Sequence, residues 1–327
     1  LNTFLSIVDQ VSWAKNEVTN KMFIDKLSGE AYGLRALNYY YLLMAHGGWT
    51  EDGKLLGVPM LLEPESTTSD FNQARAPFSE CVQQIFEDLE LASELLPLDY
   101  ENIDSDAEVP AKYKEIGAQL GNYNLVFGTY QRGRLTMRIV EAIKAQVALL
   151  AASPAYREGS EVTSETAANY AAAVLNRIGG VTGLDPKGHT WYMNTEELDN
   201  LGSGEVSAEI LWRGNKSIGT EDWDMGIKQE KDNFPPTFYG SGRINPTQNL
   251  VDAFPMANGY PIADKANSGY SENAPYTGRD PRLEKYILFN GAEFKDKTII
   301  TGLYPDEDNK QDNGLNQLNT STRTGYY

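Results

Sequence analysis

The residues in this chain best suited to chemistry are flat rings set among hydrogen-bonding side chains. Trp191 and Tyr192 stand together, Trp223 sits inside Glu221-Asp222-Trp223-Asp224, and Tyr239 ends the run Phe234 to Tyr239 (FPPTFY), with Arg243 close behind. Trp49 follows the pair Gly47-Gly48. Such rings stack on the apolar C–H faces of pyranose and furanose units, while carboxylates, amides and guanidinium groups bond the hydroxyls. Trp223, Tyr239, Trp49 and Trp191 are therefore the candidate ring platforms, and Asp222, Asp224 and Arg243 the candidate hydroxyl partners. A loop tryptophan more often plugs a core than serves as a platform, and each ring carries that alternative. Trp212, flanked by Ile210 and Leu211 in the strand-like run Glu209 to Arg213 (EILWR), is expected in the core.

Other chemistries find little support. His46 and His189 are the only histidines and do not fall with Cys or carboxylates at metal-ligand spacings, so no zinc site is expected. The stretch Asp306 to Gly314 (DEDNKQDNG) lacks oxygen ligands at alternate positions and a terminal glutamate, and reads as a solvated acidic loop rather than a calcium site. The serine-hydrolase elbow, the P-loop and the dinucleotide fingerprint are absent, and no cofactor is expected. A glycosidase would need two carboxylates facing each other across an aromatic cleft, a relation in space that sequence does not locate. The chain is read as a binder, not an enzyme. Cys81, the single cysteine, borders an apolar stripe and is expected to be a buried, inert thiol.

Composition narrows the partners. With 46 acidic against 28 basic side chains the 327-residue chain carries a formal charge of −18, and no Lys/Arg run is present to neutralise phosphates, which disfavours nucleic acid. Hydrophobic content of 41% is ordinary for a globular protein, and 19 Tyr with 5 Trp put the aromatic surplus in rings with a polar edge. No run of about 18 apolar residues occurs that could span a membrane.

The elements that must position these residues divide the chain in two. Residues 1–180 read as helices. Leu34, Leu37, Tyr41 and Met44 recur at helical spacing over Glu30–Ala45, with Ala36, Tyr40 and Leu43 as a second stripe, and Gly47-Gly48 ends the helix. After Pro77 the stripe Phe78, Val82, Ile85, Leu89, Ala92, Leu96 predicts about five turns. A third helix is predicted over Leu135–Ala152, stopped by Ser153-Pro154. A fourth runs over Ser164–Ile178, with Ala168, Ala171, Ala172, Leu175 and Ile178 as its packing face. Paired helices of similar length suggest an α-solenoid of tetratricopeptide kind, although no strict repeat period is present. Residues 181–327 are rich in Gly, Pro, Asn and aromatics, with strand-like runs only at EILWR and Tyr286–Phe289, and form the expected ligand-carrying, loop-rich part.

Several of these phrases have a familiar wording. Gly29 through Tyr41 (GEAYGLRALNYYY), His46-Gly47-Gly48 and Val58-Pro59 resemble the signature helix, glycine stop and V-P turn of the SusD/RagB family. Ile85-Phe86-Glu87-Asp88-Leu89 to Leu96-Pro97, Gly133-Arg134-Leu135-Thr136 to Ser153-Pro154, Glu209–Trp212, Asn245-Pro246-Thr247 to Asn258-Gly259, Gly278–Leu283 and Thr324–Tyr327 follow in the family's order. Bland physical roles are expected for the charged landmarks: Arg35 paired with a buried carboxylate, and Arg279, Asp280 and Arg282 in a structural ion-pair and turn network. The resemblance implies a mainly α protein, a scaffold of four tetratricopeptide-like helix pairs beside an irregular loop-rich region that holds the ligand. It also implies a cell-surface lipoprotein of the outer membrane, anchored through a lipid outside this segment, that captures oligosaccharides for a SusC-like TonB-dependent transporter. Some relatives carry peptides, which makes a RagB-like peptide binder the alternative, ahead of a protein-interaction adaptor. Against the family pattern the chain is expected to lack the N-terminal lipidation segment and a C-terminal stretch.

Overall fold

The structure is a computed structural model that describes residues 1–184, 200–202, 209–213, 225–235, 238, 240–301 and 324–327. It is mainly helical and divides into two compact units, Leu1–Lys216 and Ser217–Tyr327. No described helix is long and apolar enough to cross a membrane.

In the first unit, after a short turn α1 (Asn2–Leu5), the longest element is α2 (Glu17–His46). Its amide ends are capped by Asn16, whose side chain accepts from Thr19 N at 2.9 Å. The helix starts well before the predicted Glu30. Its buried stripe runs Thr19, Met22, Lys26, Gly29, Gly33, Ala36, Tyr39, Leu43 at steps of three and four, and half of these are polar or glycine. Tyr41 and Met44, expected on the packing face, are 57% and 42% exposed, while Tyr39 is buried.

Helix α3 (Phe78–Leu95) follows the predicted stripe, and Phe78, Val82, Ile85, Leu89, Ala92 and Leu96 are all buried. Truncating Ile85 or Leu89 to alanine in such a core costs about 2–5 kcal/mol. Helices α2 and α3 run antiparallel: Gly29 lies against Leu95 and Leu96, Gly33 against Ala92, and Gly47 against Phe78. A Cβ at Gly33 would come 2.2 Å from Leu135 Cδ2, so glycine leaves room for the Leu135 side chain against α2. Two short helices follow, α4 (Ala111–Lys114) and α5 (Leu120–Phe127). Together with the first half of α2 they enclose a second cluster of Met22, Tyr100, Val109, Tyr113, Val126 and Phe127.

Helix α6 (Met137–Ala151), capped by Thr136, packs on α3, and α8 (Ser164–Asn176) packs on α6, with the one-turn α7 (Arg157–Ser160) between them. Arg177 is bonded to Glu141 in α6, which sets α8 antiparallel to it. The described first unit thus contains two antiparallel helix pairs in series, the kind of pairing a tetratricopeptide-like scaffold uses, where the resemblance implied four pairs. The packing face of α8 is shifted from the one predicted: Ala167 is buried and Tyr170 packs on the core, while Ala168, Ala171 and Ala172 are exposed.

One buried ion pair ties α2 to α3. Arg35 donates from Nε and Nη2 to the two carboxylate oxygens of Asp88 at 2.8 and 2.7 Å, and Asp88 has no exposed surface. The same guanidinium reaches Asn2 Oδ1 at 3.1 Å; Asn2 in turn donates to Leu61 O, and Tyr39 OH bonds both the N–H and C=O of Leu61. The sequence expectation for Arg35 is met. Cys81 is also as expected, wholly buried, and that burial pushes its thiol up.

The second unit carries α9 (Met225–Asn233), α10 (Gln248–Ala253), α11 (Pro281–Tyr286) and a small hairpin, Glu293–Phe294 with Lys297–Thr298. Val251, Leu283, Ile287, Phe289 and Tyr326 form its core, with Tyr276 stacked on Phe289 at 4.0 Å. Tyr286–Phe289 is not the predicted strand: Tyr286 ends α11, and Phe289 makes an isolated bridge to Tyr326. Asp280 caps α11 and pairs with Arg282 at 2.7 Å, as expected of this motif. Arg279, buried, donates instead to the carbonyls of Pro275, Val251 and Phe254, so it holds turns rather than a carboxylate. The acidic stretch Asp306 to Gly314 lies outside the described residues.

Candidate functional site

Of the nominated residues, Trp49 and Arg243 are described; Trp191, Asp222, Trp223, Asp224 and Tyr239 lie outside the described residues. Trp49 is on β1 (Gly48–Trp49), which pairs antiparallel with β2 (Leu55–Leu56) through a turn at Thr50–Lys54. Gly53 turns the chain at φ +78°, a value that only glycine adopts without strain. Arg75 clamps this hairpin to the end of α2 by donating to the carbonyls of His46, Leu56 and Gly57. The Trp49 indole N–H donates to Ala155 O at 2.8 Å, and a Cβ at Gly159 would lie 3.5 Å from its ring edge. Held at its polar corner, the ring is still 49% exposed. It is therefore a fixed, half-open aromatic surface rather than a core plug. The turn beside it presents Asp52, whose carboxyl is held below the usual range by Lys54 and Thr50. Arg157 and Glu158 of α7 are exposed on the neighbouring turn.

Arg243, in the second unit, is anchored by its backbone N–H to Asp232 O at 2.8 Å. Its side chain is 75% exposed and only loosely paired with Asp232 at 3.8 Å, a geometry that leaves the guanidinium open to further acceptors.

A third feature was not expected. Trp212, assigned to the core from its apolar neighbours, is 40% exposed and lines a cleft of about 290 Å³ in the first unit. Its indole N–H donates to Gly133 O at 3.0 Å, 79 residues away, and the described residues 209–213 form no strand. The other walls come from the turn after α3, carrying Asp99 and Glu101, and from the segment entering α6, carrying Arg132, Arg134 and Arg138. Arg132 bonds both oxygens of Glu101 at 2.6 Å, and Arg138 bonds Asp99 at 2.5 Å. Burial holds the Asp99 carboxyl above the usual carboxylate range, a rise that Arg138 only partly offsets. Behind this wall Glu30 is shared by three donors: Tyr100 OH at 3.1 Å, Arg134 at 3.2 Å and the buried Lys26 at 3.5 Å. Lys26 also donates to Gln131 Oε1 at 2.8 Å, and burial holds its ammonium below the usual lysine range.

Residues 1–114 match the family described as "Starch-binding associating with outer membrane", and residues 208–327 match the "SusD family". No curated protein matches the chain. Among solved structures, a SusD-like protein from Bacteroides fragilis aligns over 99% of this chain and 54% of its own length, at 20% identity and a TM-score of 0.57. A SusD-like carbohydrate binding protein, also from Bacteroides fragilis, aligns over 99% of this chain and 50% of its own, at 16% identity and a TM-score of 0.54. The chain thus spans about half the length of these two structures, and at such identities the likeness is one of fold. With two family matches at its two ends, and a helical scaffold that aligns with SusD-like structures along nearly all its length, the chain belongs to the SusD/RagB family.

Proposed function

We propose that this protein is a non-catalytic binder of oligosaccharides at the outer-membrane surface, which hands its ligand to a SusC-like TonB-dependent transporter. The observation that carries the reading is Trp49: a tryptophan fixed by its N–H to Ala155 O, yet half open to solvent, is built to receive a flat apolar partner. The family description and the carbohydrate-binding relative point the same way. Trp191, Trp223 and Tyr239 are proposed as further rings, and Asp222, Asp224 and Arg243 as hydroxyl partners. A lipid anchor outside this segment is proposed to hold the protein at the membrane.

The test is calorimetric titration with soluble neutral oligosaccharides, using the protein and its Trp49→Ala and Trp223→Ala variants. Saturable heat, weakened about tenfold in at least one variant, is expected; tenfold corresponds to about 1.4 kcal/mol, the scale of one aromatic contact. Absence of heat with every glycan, alongside saturable binding to a peptide library, would overturn the reading in favour of a peptide carrier.

A further inference from the structure

We infer that the Trp212 cleft is a second binding site, selective for an acidic sugar unit whose ring lies on Trp212 and whose carboxylate is taken by Arg134. This inference rests on the oligosaccharide reading and adds to it a site and a ligand class.

The charge of the cleft runs against that of the protein. In a chain of net charge −18, its walls carry four guanidinium groups, Arg132, Arg134, Arg138 and Arg213, against two carboxylates. Low-dielectric walls focus such a field and draw an anion inward. The three wall arginines nearest α6 do not play the same part. Arg132 and Arg138 are matched by close pairs with Glu101 and Asp99, which makes them structural. Arg134 is 51% exposed and, among the described residues, is held through Nη1 by a carboxylate that Tyr100 and Lys26 also use. Glu30 therefore neutralises Arg134 incompletely, and the outer edge of the guanidinium fork is left for a second acceptor. A planar fork prefers a carboxylate to a hydroxyl, because two parallel N–H donors match two oxygens.

The ring supplies the other half of the recognition. Trp212 is locked by its bond to Gly133 O, the residue next to Arg134, so platform and cation are fixed on one short segment. A free inorganic anion would use the arginine and ignore the indole; a neutral sugar would do the reverse. A hexuronate, which carries its carboxylate directly on a pyranose ring, uses both. The volume of about 290 Å³ stands at the small end for ligand pockets, suited to one such unit rather than a chain.

The experiment titrates the whole protein with an oligogalacturonate, with the same oligomer after carboxyl reduction, and with an acetylated acidic peptide, each at low and high salt. Arg134→Gln and Arg134→Lys are run beside the wild type, and Trp49→Ala beside both. The acidic oligomer is expected to bind about tenfold or more tighter than its reduced form. That preference should weaken with salt, vanish in Arg134→Gln, return only in part in Arg134→Lys, and persist in Trp49→Ala. Retained binding of the neutral oligomer by Arg134→Gln shows that the variant is folded. Equal affinity for acidic and reduced oligomers, or equal losses for both in Arg134→Gln, overturns the inference and leaves the oligosaccharide reading standing. Peptide binding as tight as that of the uronate, abolished by the same variants, overturns the sugar class. If neither the acidic nor the reduced oligomer binds, the inference falls, while the oligosaccharide reading is decided separately by the neutral-glycan and peptide titrations.

Discussion

Asp88→Asn removes one charge at nearly constant shape from the centre of the α2–α3 interface, and its cost follows from the geometry. Asp88 has no exposed surface and receives two guanidinium hydrogen bonds; Arg35, 12% exposed in its side chain, has no other carboxylate partner among its described bonds. The substitution leaves a buried cation facing an amide, and breaking one side of such a pair costs about 3–5 kcal/mol. Replacing both partners by apolar residues, Arg35→Met with Asp88→Leu, strands no charge and is expected to recover most of that loss. Urea unfolding followed by far-UV circular dichroism compares the midpoints of wild type, single variant and double variant. A single variant within about 1 kcal/mol of wild type, or a double variant as unstable as the single, would refute the argument that the charge, and not the packing, sets the cost.

Two further outcomes follow from buried titratable groups. Burial lowers the Lys26 ammonium below its unfolded value, so the unfolded chain holds more protons between the two, and stability should rise with pH across that window. Lys26→Met, which keeps the volume and leaves Glu30 with Tyr100 and Arg134, should remove that rise; a gap between variant and wild-type midpoints that stays constant from neutral pH to the lysine range would contradict it. Cys81, buried with its thiol pushed up, should resist a water-soluble disulfide reagent in the native protein and react fully in denaturant. Rapid native labelling would show that the α2–α3 seam opens.

What could be read from the sequence was whatever its apolar residues spelled out. The α3 stripe from Phe78 to Leu96 is apolar at every position and its helix was recovered nearly residue for residue. The first half of α2 was not, because its buried face is made of Thr19, Lys26, Gly29 and Gly33, which apolar periodicity does not register. The buried Lys26 ammonium is received by Glu30 and by Gln131, 105 residues away, and Gly33 faces Leu135 at similar distance along the chain. Trp212 was misplaced for the same reason: its neighbours are apolar, but its exposure is decided by Gly133. The placement of Trp49 outside the core was legible because its cue was local, a glycine stop at a helix end.

The antiparallel pairing of α2 and α3 has one more consequence. Trp49 follows the end of α2 that packs on Phe78, and the turn after Leu95 lines the Trp212 cleft, so the two rings lie toward opposite ends of α3, whose 18 residues span roughly 27 Å. If both rings are sugar platforms as proposed, a single sugar unit would engage one ring at a time. A long glycan that reaches the second ring does so at the high effective concentration set by its own tether, and residence time then grows with chain length without any new contact. On the proposed oligosaccharide reading the scaffold would act as a ruler, favouring long glycans over their breakdown products.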